Sequence, residues 1–416
     1  MTDATDPRAL ARALYDAAVR AADPGRALEA ALAGHPLPRP EGRTYVIGIG
    51  KAAPRMVATL LPHIDGPCRA LAVTHHENRA EVPGARVLRA GHPVPDEAGA
   101  AAAREVMAML DQAGPDDAVI ALISGGGSAL VPAPVPPLTL ADKKAVNEAL
   151  LAGGLDIVAM NLVRQQLSEL KGGGFLRHAA PASVSAYILS DVIGDDLRAV
   201  ASGPTVGPVG TAEDACATLK KAGLWDRIPA AARRRLTDAP PPEPLPEATN
   251  VLIGSNRHAL DAMAATAEEA GLSTRVVNDA LVGDVADAAA EILDSFDAPE
   301  GPRVLLFGGE TTVTIRGDGR GGRNQELALR VAMGARAPGR RWAFLSGGTD
   351  GRDGPTDAAG GIVDAGTAGR ISEAGGDAAA LLANNDSYRA LDLAGDLLKV
   401  EATGTNVADV QALVLL

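Results

Sequence analysis

Aromatic residues are almost missing: two Trp, four Tyr and four Phe make up 2% of a 416-residue chain. Any core must therefore be assembled from Ala, Val, Leu and Ile, within an apolar content of 46%. Cysteine is scarcer still. Cys68 and Cys216 stand in unrelated contexts, so neither a disulfide framework nor a thiolate metal set is available. Two buried or half-buried thiols in a reducing compartment are expected. No apolar run reaches the ~18 residues of a membrane span. The opening "MTDATDPRALARALYDAAVRAADPG" is charged and amphipathic, without the apolar centre of a signal peptide. A soluble, cytoplasmic protein with no membrane partner is the expectation. Positive charge is in deficit as well. The 39 Lys and Arg against 52 Asp and Glu leave a net −13, which argues against a nucleic-acid surface and confines any anion site to a local cluster. Heptads and short tandem repeats are absent too.

What is present is a recurring unit: apolar run, glycine turn, helix. The runs "YVIGIG" (45–50), "ALAVTHH" (70–76), "AVIALISGGG" (118–127) and "SAYILSDV" (185–192) are continuous rather than alternating. Such runs between helices indicate parallel strands covered on both faces. Thr139 with Asp142 reads as a capping box, and Asp156 opens a helix expected to run to "KGGG". The proline-rich "DAPPPEPLPEA" (238–248) reads as a stiff connection. It divides the chain into an α/β Rossmann-like domain, 1–240, and a smaller mixed α/β domain, 248–416. In the latter, "TTVTIRGDG" alternates and ends in Asp-Gly, which suggests an antiparallel strand.

Several turns carry groups suited to anions. Gly48-x-Gly50-x-x-Ala53 fits the dinucleotide fingerprint after a strand and before a helix, but Lys51 inside the turn suits a phosphate better. Ser124, Gly125, Gly126, Gly127 and Ser128 form a turn able to present backbone N–H groups to phosphate, yet it lacks the lysine of the usual phosphate loop. Asn161, Arg164, Ser168 and Lys171 are spaced three, four and three apart, one stripe of a helix with two cations and no carboxylate. Asp191 follows a strand, where it could hold Mg²⁺ or accept a hydroxyl proton. Arg323 opens a helix after glycines, and with Arg320 it implies an anion between them. Asp350, Asp353 and Asp357 lack calcium-loop spacing and read as Asx-turns. "GHPVPDE" (91–97) reads as a rigid loop at a cleft.

In order along nearly the whole chain, "GIGKAA", "GHPVPDE", "LISGGGSAL", "MNLVRQQLSELKGGG", "LSDVIGDD", "ASGPT", "GGETTVTI", "GGRNQELAL", "SGGTDGRDGPTDAAGG" and "ATGTNV" resemble the glycerate 2-kinase family with a C-terminal MOFRL domain. The resemblance implies an active site in a cleft between two domains, ATP and Mg²⁺, and phosphorylation of D-glycerate to 2-phosphoglycerate. It implies Lys51 and Arg323 as the catalytic cations; Asp191, from its place at the strand end, is expected beside them as proton acceptor or metal ligand. Ser124 to Ser128, Asn256 and Glu310 are expected at the nucleotide, and Gly50, Arg164, Lys171 and Asp350 at substrate or phosphate. A homodimer is compatible with it. Some members carry the label hydroxypyruvate reductase, so an NAD(P)H-dependent reductase is the rival. A sensor that binds glycerate or ATP without turnover is the non-catalytic alternative.

Overall fold

The computed structural model describes residues 6–241, 243–297, 303–337 and 339–416. They form two compact units. One comprises Ala27–Ser190 and Asp195–Ile253, the other Met1–Arg26, Asp191–Gly194 and Gly254–Leu416.

The first unit is built on a sheet of β1 (Thr44–Ile49), β2 (Cys68–His75), β3 (Ala85–Ala90), β4 (Ala118–Ile123), β5 (Ser183–Leu189) and β6 (Ala248–Gly254). Their order is β3-β2-β1-β4-β5-β6, and the pairs β1–β2, β2–β3, β1–β4 and β4–β5 are parallel. The expected Rossmann-like sheet is therefore present, with its strand order. Every residue of β1 and β4 is buried, which is why these runs show no alternation. The chain leaves β1 toward β2 on one side, while β4 lies on the other. The turns after β1 and β4 thus flank the point where strand order reverses, the usual ligand crevice of open α/β sheets.

The second unit is a mixed sheet of β7 (Ser273–Asp284), β8 (Arg303–Thr312), β9 (Trp342–Gly348), β10 (Gly360–Asp364), β11 (Leu397–Leu398) and β12 (Asp409–Leu415), in the order β11-β10-β9-β12-β8-β7. Central β12 is antiparallel to both β8 and β9. β8 ends at Thr312, so "VTIRG" does not extend it. The amides of Arg316 and Gly317 donate instead to Asn385 Oδ1.

Other expectations are corrected. The N-terminal helix Pro7–Ala21 does not belong with 27–240: Arg8 bridges Asp364 (2.6 Å) and Asp396 (2.9 Å), and Tyr15 Oη donates to Gly348 O at 2.7 Å in the second unit. The helix capped by Asp156 stops at Gln166, short of "KGGG". Beyond it, Leu167 O accepts from Val135 N and Glu169 N donates to Ala133 O, so sheet-like pairing replaces the last helical turns. Cys68 is exposed, and both thiols are free. Among the described residues, no helix is long and apolar enough to cross a membrane.

Candidate active site

Both turns at the strand-order switch are shaped by glycine. Gly50 has φ +133°, and a Cβ there would lie 2.1 Å from Ser124 Oγ. The dinucleotide-like turn is sealed by this closeness. Gly50 N donates to Val73 O, Lys51 N to Gly125 O (2.9 Å), Ala52 N to Ser124 Oγ (3.1 Å) and Ala53 N to Gly50 O. Its amides are spent inside the protein, so they are not available to a pyrophosphate. The neighbouring turn is the opposite case. Among the described residues, no acceptor meets the amides of Gly126, Gly127 or Ser128. Gly126 has φ +84°, and a Cβ on it would come within 3.1 Å of the His92 ring and 3.3 Å of Lys51 Cγ. The side chain of Lys51, from the preceding βα turn, therefore passes beside this loop.

Beside this loop lies a cavity of about 180 Å³ whose lining includes His92, Gly126, Ser128, Lys143, Asn147, Arg164 and Lys171, and no carboxylate. The capping box at Thr139 and Asp142 starts helix Leu140–Ala152 so that Lys143 and Asn147, one turn apart, face the cavity together. From helix Ile157–Gln166, Arg164 reaches Asn147 Oδ1. Lys171 is buried at 3% exposure, and its Nζ donates to Ser128 O at 2.8 Å and sits 2.5 Å from Ser128 Oγ. Lys143 Nζ is buried, with no hydrogen-bond partner among the described residues.

The electrostatics follow from three cations sharing a carboxylate-free space. Burial, reinforced by Lys143 and Arg164, pushes Lys171 well below an ordinary lysine. Burial and Arg164 bring Lys143 down to about 8. Burial, then Lys51 and His75, holds His92 near 4. In each case burial is the largest cause, and neighbouring positive charge adds to it.

The sequence stripe is therefore partly right. Arg164 and Lys171 do converge, but Ser168 and Lys171 lie beyond the helix end; Asn161, Ser168 and Lys171 are buried and Arg164 is half-buried. Lys143, Asn147 and His92 line the cavity without any mark of their own in the sequence pattern. A lysine and an asparagine four apart on a polar helix are indistinguishable in sequence from a wetted face. His92 lies in the loop "GHPVPDE", which was the available hint.

In the second unit, helix Arg323–Gly334 is capped by a distant carboxylate: Asp353 accepts from Asn324 N (3.1 Å) and Gln325 N (2.8 Å). Burial lifts Asp353 to about 6 despite these bonds. Arg323 does not share an anion with Arg320. It grips Asp409 through Nε (2.6 Å) and Nη2 (3.0 Å) and Glu310 through Nη1 (2.7 Å), while Arg320 stacks on Tyr388. The anion inferred from an arginine at a helix start is thus the protein's own. Asn256 Nδ2 donates to Val407 O and Asp409 O, which fixes the start of β12. Asp350 Oδ1 accepts from Arg352 N, an Asx-turn. Asp191 sits half-buried just past β5. Among the described residues, no three His, Cys, Asp or Glu side chains group as a metal cage. A Mg²⁺ carried on phosphates needs only one or two protein carboxylates.

A domain of unknown function, DUF4147, matches residues 10–237, and the MOFRL family matches 303–409. The chain is 37% identical over 431 residues to a glycerate 2-kinase of Pyrococcus horikoshii, covering 97% of this chain and 96% of that protein. An Agrobacterium vitis relative, 40% identical over 425 residues (98% of this chain, 94% of the relative), bears a provisional hydroxypyruvate reductase name. The crystal structure of glycerate kinase from Thermotoga maritima matches with a TM-score of 0.92 at 35% identity, covering 98% of this chain and 99% of that one.

Proposed function

The chain belongs to the glycerate 2-kinase family of DUF4147–MOFRL proteins, and from that premise we propose that it transfers the γ-phosphoryl group of ATP to the 2-hydroxyl of D-glycerate, giving 2-phosphoglycerate and ADP. The observation that carries the reading is the carboxylate-free cavity holding Lys143, Arg164 and Lys171 beside the unpaired amides of Gly126 to Ser128. Unpaired buried cations are expensive unless an anion joins them. At about 180 Å³, the cavity lies below the ~300–1,000 Å³ of sites for drug-sized ligands and suits a three-carbon acid.

Phosphoryl transfer depends on positioning and charge neutralisation more than on covalent chemistry. Lys143 and Arg164 take the substrate carboxylate, and the 126–128 amides and Lys51 take phosphoryl oxygens. Ser124 acts through Ala52, whose amide it accepts, and so holds the Lys51 turn in place. Arg323, with Nη1 on half-exposed Glu310, is the other candidate catalytic cation. Asn256 and Asp350 serve there by shaping the surrounding backbone. Asp191 is the carboxylate assigned to Mg²⁺, which when bound spreads the negative charge of the phosphates. The reductase reading needs free amides in the Gly48–Ala53 turn, and those are occupied.

The test is product identification. With glycerate, ATP and Mg²⁺, NMR should show 2-phosphoglycerate and ADP, while hydroxypyruvate with NADH should leave NADH unconsumed. Binding without ADP release would mark a sensor, and NADH oxidation would mark a reductase.

A further inference from the structure

Ser128 occupies an unusual place in the anion cavity. Its Oγ lies 2.5 Å from Lys171 Nζ and 3.0 Å from Ser202 Oγ, and Ser202 Oγ donates its one hydrogen to Asn161 Oδ1 at 2.9 Å. Ser202 is therefore an acceptor toward its neighbours. Lys171 Nζ spends one hydrogen on Ser128 O (2.8 Å) and faces Ser202 Oγ at 3.5 Å. With Lys171 neutral, the Ser128 hydroxyl donates to the lysine lone pair. With Lys171 protonated, the ammonium donates to Ser128 Oγ, and the serine hydrogen turns to Ser202. Both protonation states are hydrogen-bonded without moving a heavy atom, which is what a group that gains and loses a proton requires.

The backbone holds this arrangement under strain. Ala201 and Ser202 are consecutive non-glycine residues at φ +49° and +63°. Gly172 N and Gln165 Nε2 both donate to Ser202 O, fixing the residue there. Strain of this kind persists only where the surroundings over-determine it and tends to gather at working sites.

We propose that Ser128 and Lys171 form the proton-accepting relay of the kinase reaction. The inference rests on the kinase reading. Lys143 and Arg164 hold the carboxylate of an α-hydroxy acid, which brings the adjacent hydroxyl to Ser128. As the C2 oxygen forms its bond to the γ-phosphorus, its proton passes to Ser128 Oγ, and the Ser128 proton passes to Lys171 Nζ. The bond between the γ-phosphorus and the bridging oxygen breaks, and its electron pair leaves on ADP. The ammonium so formed then faces the new phosphate.

The charged groups around Lys171 favour its acceptor form before catalysis. Lys143 comes from helix Leu140–Ala152, Arg164 from helix Ile157–Gln166, and His92 from the loop after β3. Ser202 and Asn161 are neutral, and Glu169, two residues before Lys171, does not line this cavity. Burial and the two cations keep Lys171 well below an ordinary lysine. His92, held near 4, is too weak a base to compete.

The test is the pH dependence of kcat/KM for glycerate in Ser128→Ala, Ser128→Thr, Lys171→Arg and Asp191→Asn, with thermal unfolding of each. Ser128→Ala should lower kcat by about 100-fold or more, the range of general-base catalysis, and remove the acidic limb of the profile, with KM for glycerate little changed. Ser128→Thr should restore both rate and limb. Lys171→Arg imposes a permanent positive charge that cannot accept a proton, so it should lose the rate and the limb while keeping KM, and it carries the test if Ser128→Ala does not fold. A Ser128→Ala rate within about threefold of wild type with the limb intact overturns the relay. So does loss of the limb in Asp191→Asn alone. Wild-type protein that phosphorylates no glycerate overturns the kinase reading and the relay together.

Discussion

Lys143 holds a buried Nζ with no acceptor among the described residues, and its pKa is brought down to about 8. A base whose pKa is lower folded than unfolded carries fewer protons in the native state between the two values, so stability rises with pH across that interval. The penalty is complete below about 8 and relieved between 8 and the unfolded value of 10.5. Lys143→Met should therefore raise the denaturant midpoint near neutrality, with an advantage that shrinks as pH climbs through that window. It should also raise KM for glycerate. A pH-independent gain would locate the effect elsewhere. Lys51→Ala should cut kcat by about 100-fold or more and leave the unfolding midpoint in place, because only its stem packs on Gly126. Arg323→Ala differs. It strands Asp409, which is 1% exposed, so a loss on the order of 3 kcal/mol in stability should accompany the loss of activity, read by denaturant unfolding beside kinetics. The nearness of Lys51 to the glycine loop follows from a lysine placed in the turn after β1, next to β4 in the sheet. Lys143 was not legible in the sequence, because its burial comes from helix packing that no local pattern encodes.

Helix Arg323–Gly334 illustrates the element scale. Its N-cap is Gly322, which offers no side chain, and the capping carboxylate comes from Asp353 in the loop after β9. Asp353→Ala should lower unfolding free energy by about 1–2 kcal/mol, the usual effect of a lost cap, and speed amide exchange at Asn324 and Gln325. In the "SGGTDGRDG" loop Asp350 makes the expected Asx-turn, while Asp353 turns its carboxylate to the distant helix. Its capping role was invisible because the two segments lie 29 residues apart. The capping box at Thr139, by contrast, could be read directly, since both partners sit within four residues. The same distinction explains the truncated helix after Asp156. Its start is local, and its end is decided by pairing with residues 133–135.

At the scale of the molecule, the sheet order β3-β2-β1-β4-β5-β6 places the turns after β1 and β4 side by side, and the N-terminal helix joins the later half of the chain. Removing residues 6–22 should therefore speed hydrogen exchange in β9 and β12, against which that helix packs, and leave β1 to β5 protected. What the sequence determined alone was whatever short-range chemistry dictates: buried parallel strands from continuous apolar runs, helix starts from caps, and glycines where a backbone must approach another. Its ordered motifs also determined the family. Tertiary structure alone decided which polar groups lose their water. It closed the amides of the Gly48–Ala53 turn and left those of Gly126 to Ser128 open. It gathered Lys143, Arg164 and Lys171 without a carboxylate, and gave Arg323 to Asp409 and Glu310. Desolvation and pairing depend on what packs across space, and that is set only when the whole chain has closed.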